Sequence, residues 1–554
     1  MSSKHAYALV VALASMSPLL AQTLEKPAAA MKRFYADDPL WRDDDMRSIP
    51  QPAEHDLSKS YDFLSNTFGK TSTSEGPALN VNTLGEVPDS SWFTNRLGVR
   101  DMTIEEILRG QSTVDGPAPG PWQVTGRPDA GITPKFTIRD ARGDIYLIKL
   151  DPLSNAELPS SVELISTKIF HAIGYHVPED FLVSFDLARL AIAPGAKART
   201  VNGKRKPIER ADIERWLRDV PRQDDGTIRA LASRYVPGKV VGQFLYFGRR
   251  SDDANDLYPH ERRRELRGMR VFAAWLNHDD ARALNSIDSY VDDGGRRYVR
   301  HYLQDFGSNL GSGSTSAQQP RGGYEYLIER REILKGLGGF GFYTRPWMRA
   351  KFSHDPSVGN IEADVFDPAT WKTEYPHPAF GQMDAADAFW GGSILARFTD
   401  NTIRSLVEEA RLTNPSATSY LADVMIRRRD KVLRWALTQT NPLDRFVVEE
   451  RRLVFDNAAR RIGVPVNARY EVQWSAFDNQ AGSTQPVGER ATASDMTIAV
   501  PDAVWGPADA AGFRYATASI ATLDSGFPQW ARPVVVTIRD RAGMIDIVGI
   551  ERPH

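Results

Sequence analysis

Apolar and polar positions divide this chain into stretches of different character. Residues 6–21 are a mostly apolar run behind Lys4 and His5, broken at Pro18. Residues 22–119 are polar and rich in turn residues. Within them Asn80-Val81-Asn82-Thr83-Leu84-Gly85 and the Trp92-Phe93 segment from Pro88 to Arg96 suit ordered loops built on aromatics. Pro117, Pro119, Gly120 and Pro121 mark a boundary. Beyond it, residues 135–138 and 145–150 are strand-like runs divided by the polar, Gly-containing turn Arg139-Asp140-Ala141-Arg142-Gly143-Asp144, which predicts a β-hairpin. Leu164, Ile165, Ile169, Phe170 and Ile173 form an apolar helical stripe, with Ser160-Ser161 as cap and Gly174 and Pro178 as stop signals. Further strands are expected at 181–185, 187–192 and 230–236.

Helical periodicity then takes over. Leu266, Met269, Val271, Phe272, Trp275 and Leu276 give a broad apolar face to a helix over 262–277. A strand at 298–303 and a Gly-rich stretch at 308–342 follow, and helices are expected at about 383–398, 400–411 and 417–438. Strand patterns at 446–448, 470–474, 496–500, 515–521 and 534–538, separated by Gly, Pro and Asp turns, predict an all-β, sandwich-type unit over 446–554. The chain therefore reads as an α+β protein: an N-terminal extension over 22–119, a β-rich unit over 120–250, a helical unit over 251–445 and an appended β domain.

Composition narrows the chemistry. With 554 residues, 41% hydrophobic and 10% aromatic, the chain can bury a real core. Its 69 basic and 71 acidic residues leave a net charge of -2, so there is no electrostatic basis for a nucleic-acid partner. The absence of cysteine excludes disulfides, thiolate nucleophiles and thiolate metal sites. The ten histidines contain no His-Glu-x-x-His and no close ligand pair. The apolar run near the N-terminus reads as an export signal over 1–21, cleaved after Ala21, which predicts a periplasmic or secreted protein. It is short for a membrane span, so no integral membrane domain is expected beyond the signal, although an uncleaved anchor and association with the cell envelope stay open.

The candidate chemistry lies in two places. Downstream, His278-Asp279-Asp280-Ala281-Arg282-Ala283-Leu284-Asn285 precedes the 298–303 strand and then Asp305-Phe306-Gly307. Upstream, Gly131-Ile132-Thr133-Pro134-Lys135 opens the hairpin, and Lys149 sits late in its second strand between Ile148 and Leu150. By alternation Lys149 shares a face with Leu147 and points away from Ile148. Such a lysine is either an edge-strand gatekeeper or a phosphate ligand. Glu163, at the start of the following helix, is either an ordinary dipole-favourable acid or the ion-pair partner of Lys149, with Glu157 as its competitor in the preceding loop.

In order, these motifs resemble a protein-kinase-type active site. The arrangement is similar to the atypical kinases related to the HipA toxin kinase and to the phosphoinositide-type lipid kinases, over residues 120–440. The resemblance implies a bilobal fold, with 120–250 as the β-rich N-lobe, 251–445 as the helical C-lobe and 22–119 wrapping the N-lobe. It implies ATP and Mg2+ as cofactors. Gly131, Lys135, Lys149 and Glu163 would serve the nucleotide, Asp280 would be the base that orients the attacking hydroxyl, and Asn285 and Asp305 would hold metal. Residues 230–238 suit the strand and hinge that carry adenine, and 308–342 an activation-segment equivalent. Three departures are visible: Gly126 and Gly131 do not make Gly-x-Gly-x-x-Gly, Asp279 stands where eukaryotic protein kinases usually carry Arg, and the Lys149-to-Glu163 spacing is short. Exported kinases occur in families such as CotH. The expected partners are a nucleotide and an acceptor that is protein, lipid or sugar. A catalytically inactive binding module of the same fold, and an unrelated envelope protein with coincident motifs, are the alternatives.

Overall fold

In the computed structural model the described residues are 34–69, 75–128, 134–199, 204–329 and 343–553, with isolated positions between 330 and 342. The expected export segment and Gly131 lie outside them. The fold is α+β. A seven-stranded sheet comprises β1 (Trp122–Arg127), β2 (Lys135–Arg139), β3 (Ile145–Leu150), β4 (Asp180–Phe185), β5 (Leu190–Arg199), β6 (Arg205–Pro207) and β7 (Ile228–Arg234), in the order β4-β7-β3-β2-β1-β5-β6. The β2–β3 hairpin pairs Lys135 with Lys149 and Phe136 with Ile148. Its turn is fixed by Asp140, whose Oδ1 accepts from the backbone N–H of Arg142 and of Asp144, each at 2.9 Å, while Gly143 takes φ 92°. Phe136, Ile138, Tyr146 and Ile148 bury one face of this sheet with Trp122, Val124 and Phe185. The expected strand at 187–192 starts late. Asp186 caps a 3-10 turn over Leu187–Arg189 through the Arg189 N–H at 2.9 Å, and β5 begins only at Leu190.

The opposite sheet face receives α3 (Leu158–Ile173), which follows α1 (Lys59–Phe68) and α2 (Ile104–Arg109) in the chain. This helix begins earlier than its sequence signals indicate. Pro159 occupies the first turn, Glu157 is the N-terminal cap residue in a left-handed conformation, and neither Ser160 nor Ser161 caps. Ser160 instead donates from Oγ to Asp151 Oδ2 at 2.7 Å. Glu163 is consequently in the second turn rather than the first, and it is buried. All of α3 except His171 is buried, as suits a helix enclosed on every side.

A three-stranded sheet follows: β8 (Lys239–Gly242), β9 (Ser286–Asp293) and β10 (Arg296–Leu303), in the order β10-β9-β8. Between β8 and β9 runs α4's successor α5 (Arg264–Leu276), α4 being Arg210–Trp216. The helices α6 (Ala385–Leu395), α7 (Asp400–Glu409) and α8 (Pro415–Thr438) surround α5, and one apolar core joins these elements to α3. Arg428 of α8 is buried there and donates to the carbonyls of Ala274 and Trp275, satisfying the end of α5.

The C-terminal part holds two antiparallel sheets that share one core containing Leu453, Phe455, Trp474 and Val536. Asn441 ties it to the end of α8: its Nδ2 donates to Ile520 O at 3.0 Å and its Oδ1 accepts from Thr522 Oγ1 at 2.8 Å. The segment from residue 34 to 119 reaches widely. Phe34 stacks on Tyr515, Asn80 donates to Glu265, and Tyr375 donates from its hydroxyl to Asp62 of α1 at 2.6 Å. No helix among the described residues is long and apolar enough to cross a membrane.

Candidate active site

The alternation of β3 that buries Tyr146, Ile148 and Leu150 turns Lys149 to the face covered by α3. Its Nζ lies 2.5 Å from Glu163 Oε1 and 3.0 Å from Asp305 Oδ1. The second contact joins residues 156 positions apart in the chain. Asp180, the first residue of β4, is a third carboxylate near this amine and accepts from Thr167 Oγ1 at 2.7 Å. Burial alone lowers the Lys149 amine, but Asp305, Glu163 and Asp180 together outweigh it and hold the group well above its ordinary value. Lys149 is therefore a fixed cation. Burial pushes the Glu163 carboxyl up against the pull of that cation. The Lys149 charge keeps Asp305 below the usual carboxylate range, so Asp305 is ionised. Lys135, directly across from Lys149 on β2, has its amine lowered by burial and feels the Asp305 and Lys149 charges.

The loop after α5 supplies the second half. Asn277 ends the helix in a left-handed conformation. Asn285, in the 3-10 turn Ala283–Asn285, donates from Nδ2 to Asp280 O at 2.8 Å and to Asp280 Oδ2 at 3.0 Å, closing the loop on itself. The Gln304 N–H bonds to Asn285 O at 3.0 Å and places this loop beside Asp305. Arg282 Nε lies 2.8 Å from Asp280 Oδ1, and its Nη1 lies 3.4 Å from Glu374 Oε2. Burial pushes the Asp280 carboxyl up to about 7, with Arg282 opposing and Glu374 adding. Asp279 is buried and its carboxyl is raised well above the ordinary range, first by burial and then by Glu374 and Asp280. Of the adjacent pair it is thus Asp280 that meets Asn285 and Arg282.

Asp305 itself takes φ 60° and ψ 55°, a left-handed conformation that a non-glycine residue adopts at a cost. The turn directs Phe306 inward, where its ring stacks on Phe170 of α3 at 4.7 Å and lies 5.6 Å from His278. Burial pushes His278 down to about 4, so it is a neutral core ring. The stack links the position of Asp305 to that of α3, which carries Glu163.

Lys135, Lys149, Glu163, Asp280, Asn285 and Asp305 are thus brought together around Asp305, while Gly131 lies outside the described residues. Four contributors are not singled out by the sequence motifs. Arg282, only two residues after Asp280, was open to inspection. Ser308, in the same turn as Asp305, donates from Oγ to Asp280 Oδ2 at 3.4 Å, while Asp180 and Glu374 carry no spacing signal, since each arrives from a separate part of the chain. No group of three or more His, Cys, Asp or Glu among the described residues could hold a metal ion. The donor set nevertheless fits a magnesium shared with phosphate, which takes one or two protein oxygens and completes its shell from substrate and water. Asp305 is ionised and its side chain is 48% exposed. The Asn285 hydrogen bonds run through Nδ2, and its Oδ1 accepts none among the described residues. No family model, no curated protein and no solved structure matches this chain.

Proposed function

We propose that the chain is a bilobal kinase-like phosphotransferase of the cell exterior or periplasm that uses ATP and Mg2+ to phosphorylate a protein, lipid or sugar acceptor. The observation that carries the reading is the bridge from Lys149 to both Glu163 and Asp305, opposite the Asp280–Asn285 pair. A cation fixed between two elements, a half-exposed ionised carboxylate and a carboxyl with a value near neutrality are what phosphoryl transfer asks of a protein, because its catalysis is mostly positioning and charge stabilisation.

In this reading Lys149, backed by Lys135, binds the nucleotide phosphates, and Glu163 fixes the lysine. Asp305 and the Asn285 amide oxygen would hold magnesium, which supplies neutralisation of phosphate charge when bound. Asp280 orients the acceptor hydroxyl and takes its proton at a carboxylate oxygen. Its value of about 7 means that the ionised, accepting form is available at neutral pH. Arg282 holds Asp280 in place and favours its charged form.

One observation favours a second reading, a binding module without turnover. Both Asp280 oxygens already have partners, Arg282 on Oδ1 and Asn285 on Oδ2. Label transfer from γ-labelled ATP with magnesium, onto the protein itself and onto envelope extract, separates the two. The proposal expects transfer by the wild type and a fall of roughly 10²-fold or more in Asp280→Asn, with nucleotide binding retained. Equal transfer by both proteins removes Asp280 as the base, and binding without transfer to any acceptor class selects the binding module.

A further inference from the structure

A second, unassigned feature lies away from this cleft. A cavity of about 570 Å3 opens between the 77–86 loop, α6 and the C-terminal β domain. That volume is in the range of small-molecule sites, roughly 300–1,000 Å3. Five arginines and three carboxylates line it, with the aromatic rings of Phe389 and Trp390 forming part of the wall.

The arginines divide into two classes. Arg264, Arg397 and Arg461 are already committed: Arg264 to Asp387 at 3.1 Å, Arg397 to Asp101 at 2.8 Å and Arg461 to Asp444 at 2.6 Å. Arg445 and Arg552 form no ion pair among the described residues. Arg552 lies with its guanidinium 3.8 Å over the Phe389 ring, and the hydrogen bond it makes goes to a backbone oxygen, that of Asn441, at 3.2 Å. Arg445 is exposed at the rim, held at φ 52°. Glu86 faces the same space: burial pushes its carboxyl up, against the pull of Arg264 and Arg552, a hydrogen bond from Trp390 and the Arg397 charge, and it forms no ion pair with any of these arginines. A guanidinium stacked on an aromatic ring keeps its in-plane N–H groups free for a planar or tetrahedral anion.

We propose that this cavity binds a small molecule with an anionic head, carboxylate or phosphate, on a flat apolar body. The head would be held by Arg552 and Arg445, and the body would lie along the apolar part of the wall beside Leu79, Leu84 and Ile550. The site is independent of the phosphotransferase reading and does not share a residue with it.

Titration calorimetry on the full chain tests the proposal with phenyl phosphate, benzoate, inorganic phosphate and phenol as probes. Phenyl phosphate or benzoate is expected to bind, whichever heads the preference naming the source of the anion. Inorganic phosphate should bind more weakly because it lacks the ring, and phenol should not bind. Arg445→Gln, at an exposed position that leaves the fold intact, and Arg552→Gln should each weaken binding about tenfold or more, the loss expected for a charge-assisted contact. Asp305→Ala should leave it unchanged. The proposal fails if neither ring-bearing anion binds, if Arg445→Gln binds as the wild type does, or if Asp305→Ala abolishes binding and so moves the probe to the other cleft.

Discussion

Replacing Lys149 by Met leaves the carboxylates of Glu163, Asp180 and Asp305 without their common cation. The Glu163 side chain is 5% exposed and that of Lys149 12%, so solvent screens little of the interaction. Removing one partner of a buried ion pair costs about 3–5 kcal/mol because a buried charge is left uncompensated. The half-exposed Asp305 can rehydrate, which places the expected value near the lower end, about 3 kcal/mol. The loss should depend on pH. In the wild type the Lys149 amine is held above its ordinary value of 10.5, so it stays charged from acid to mildly alkaline pH. In the variant the force opposing burial at Glu163 is gone, and its carboxyl rises further above the ordinary 4.5. A carboxyl raised in the folded state disfavours folding progressively as pH rises above the unfolded value. Because Glu163 is already raised to about 8 in the wild type, the gap between variant and wild type should change little from pH 5 to pH 8 and widen above it, by up to about 1.4 kcal/mol for each further unit. Thermal unfolding of both proteins across this range measures it, and Glu163→Gln added to Lys149→Met should recover much of the alkaline loss. A gap of the same size at every pH would refute the claim that Lys149 neutralises buried acids.

Three other outcomes follow from the same site. Transfer activity should rise with pH through an apparent value near 7 as Asp280 loses its proton, reaching roughly a tenth of its plateau one unit below, as a pH–rate profile would record. Arg282→Gln removes the cation that lowers Asp280, so the same profile should move to higher pH; a profile that stays in place would break the link between the two residues. Phe306→Ala should cost about 3–5 kcal/mol by emptying the space between Phe170 and His278, and it should loosen the Lys149–Asp305 contact, measurable as weaker nucleotide binding alongside lower thermal stability.

Elements with strong local patterns were legible in the sequence. The β2–β3 hairpin follows from two strand runs and an Asp-x-x-Gly turn, and α5 follows from its apolar face. Helix α3 was legible as a helix but not in its start. Pro159 reads equally as the end of a loop and as a first-turn proline, and only packing against the sheet decides for the latter. Strands β1 and β9 gave little warning, because Gly126 interrupts the first and polar residues fill the second, so that pairing with neighbours rather than intrinsic pattern makes them strands. In the cleft, Lys149, Asp280, Asn285 and Asp305 were visible because short motifs carry them. Asp180 and Glu374 were not, because their proximity comes from tertiary packing alone. The cavity lined by Arg445 and Arg552 was invisible for the same reason: its walls come from parts of the chain hundreds of residues apart.

In the proposed function Asp305, paired with Lys149 and half-exposed, is the carboxylate that would join metal and phosphate to that cation. Thermal shift of the wild type and of Asp305→Ala, each titrated with ATP in the presence and absence of magnesium, tests this most directly. The wild type should be stabilised by ATP with magnesium more than by ATP alone, and Asp305→Ala should lose the magnesium-dependent part. Equal magnesium-dependent stabilisation in both proteins, or none in the wild type, would contradict it.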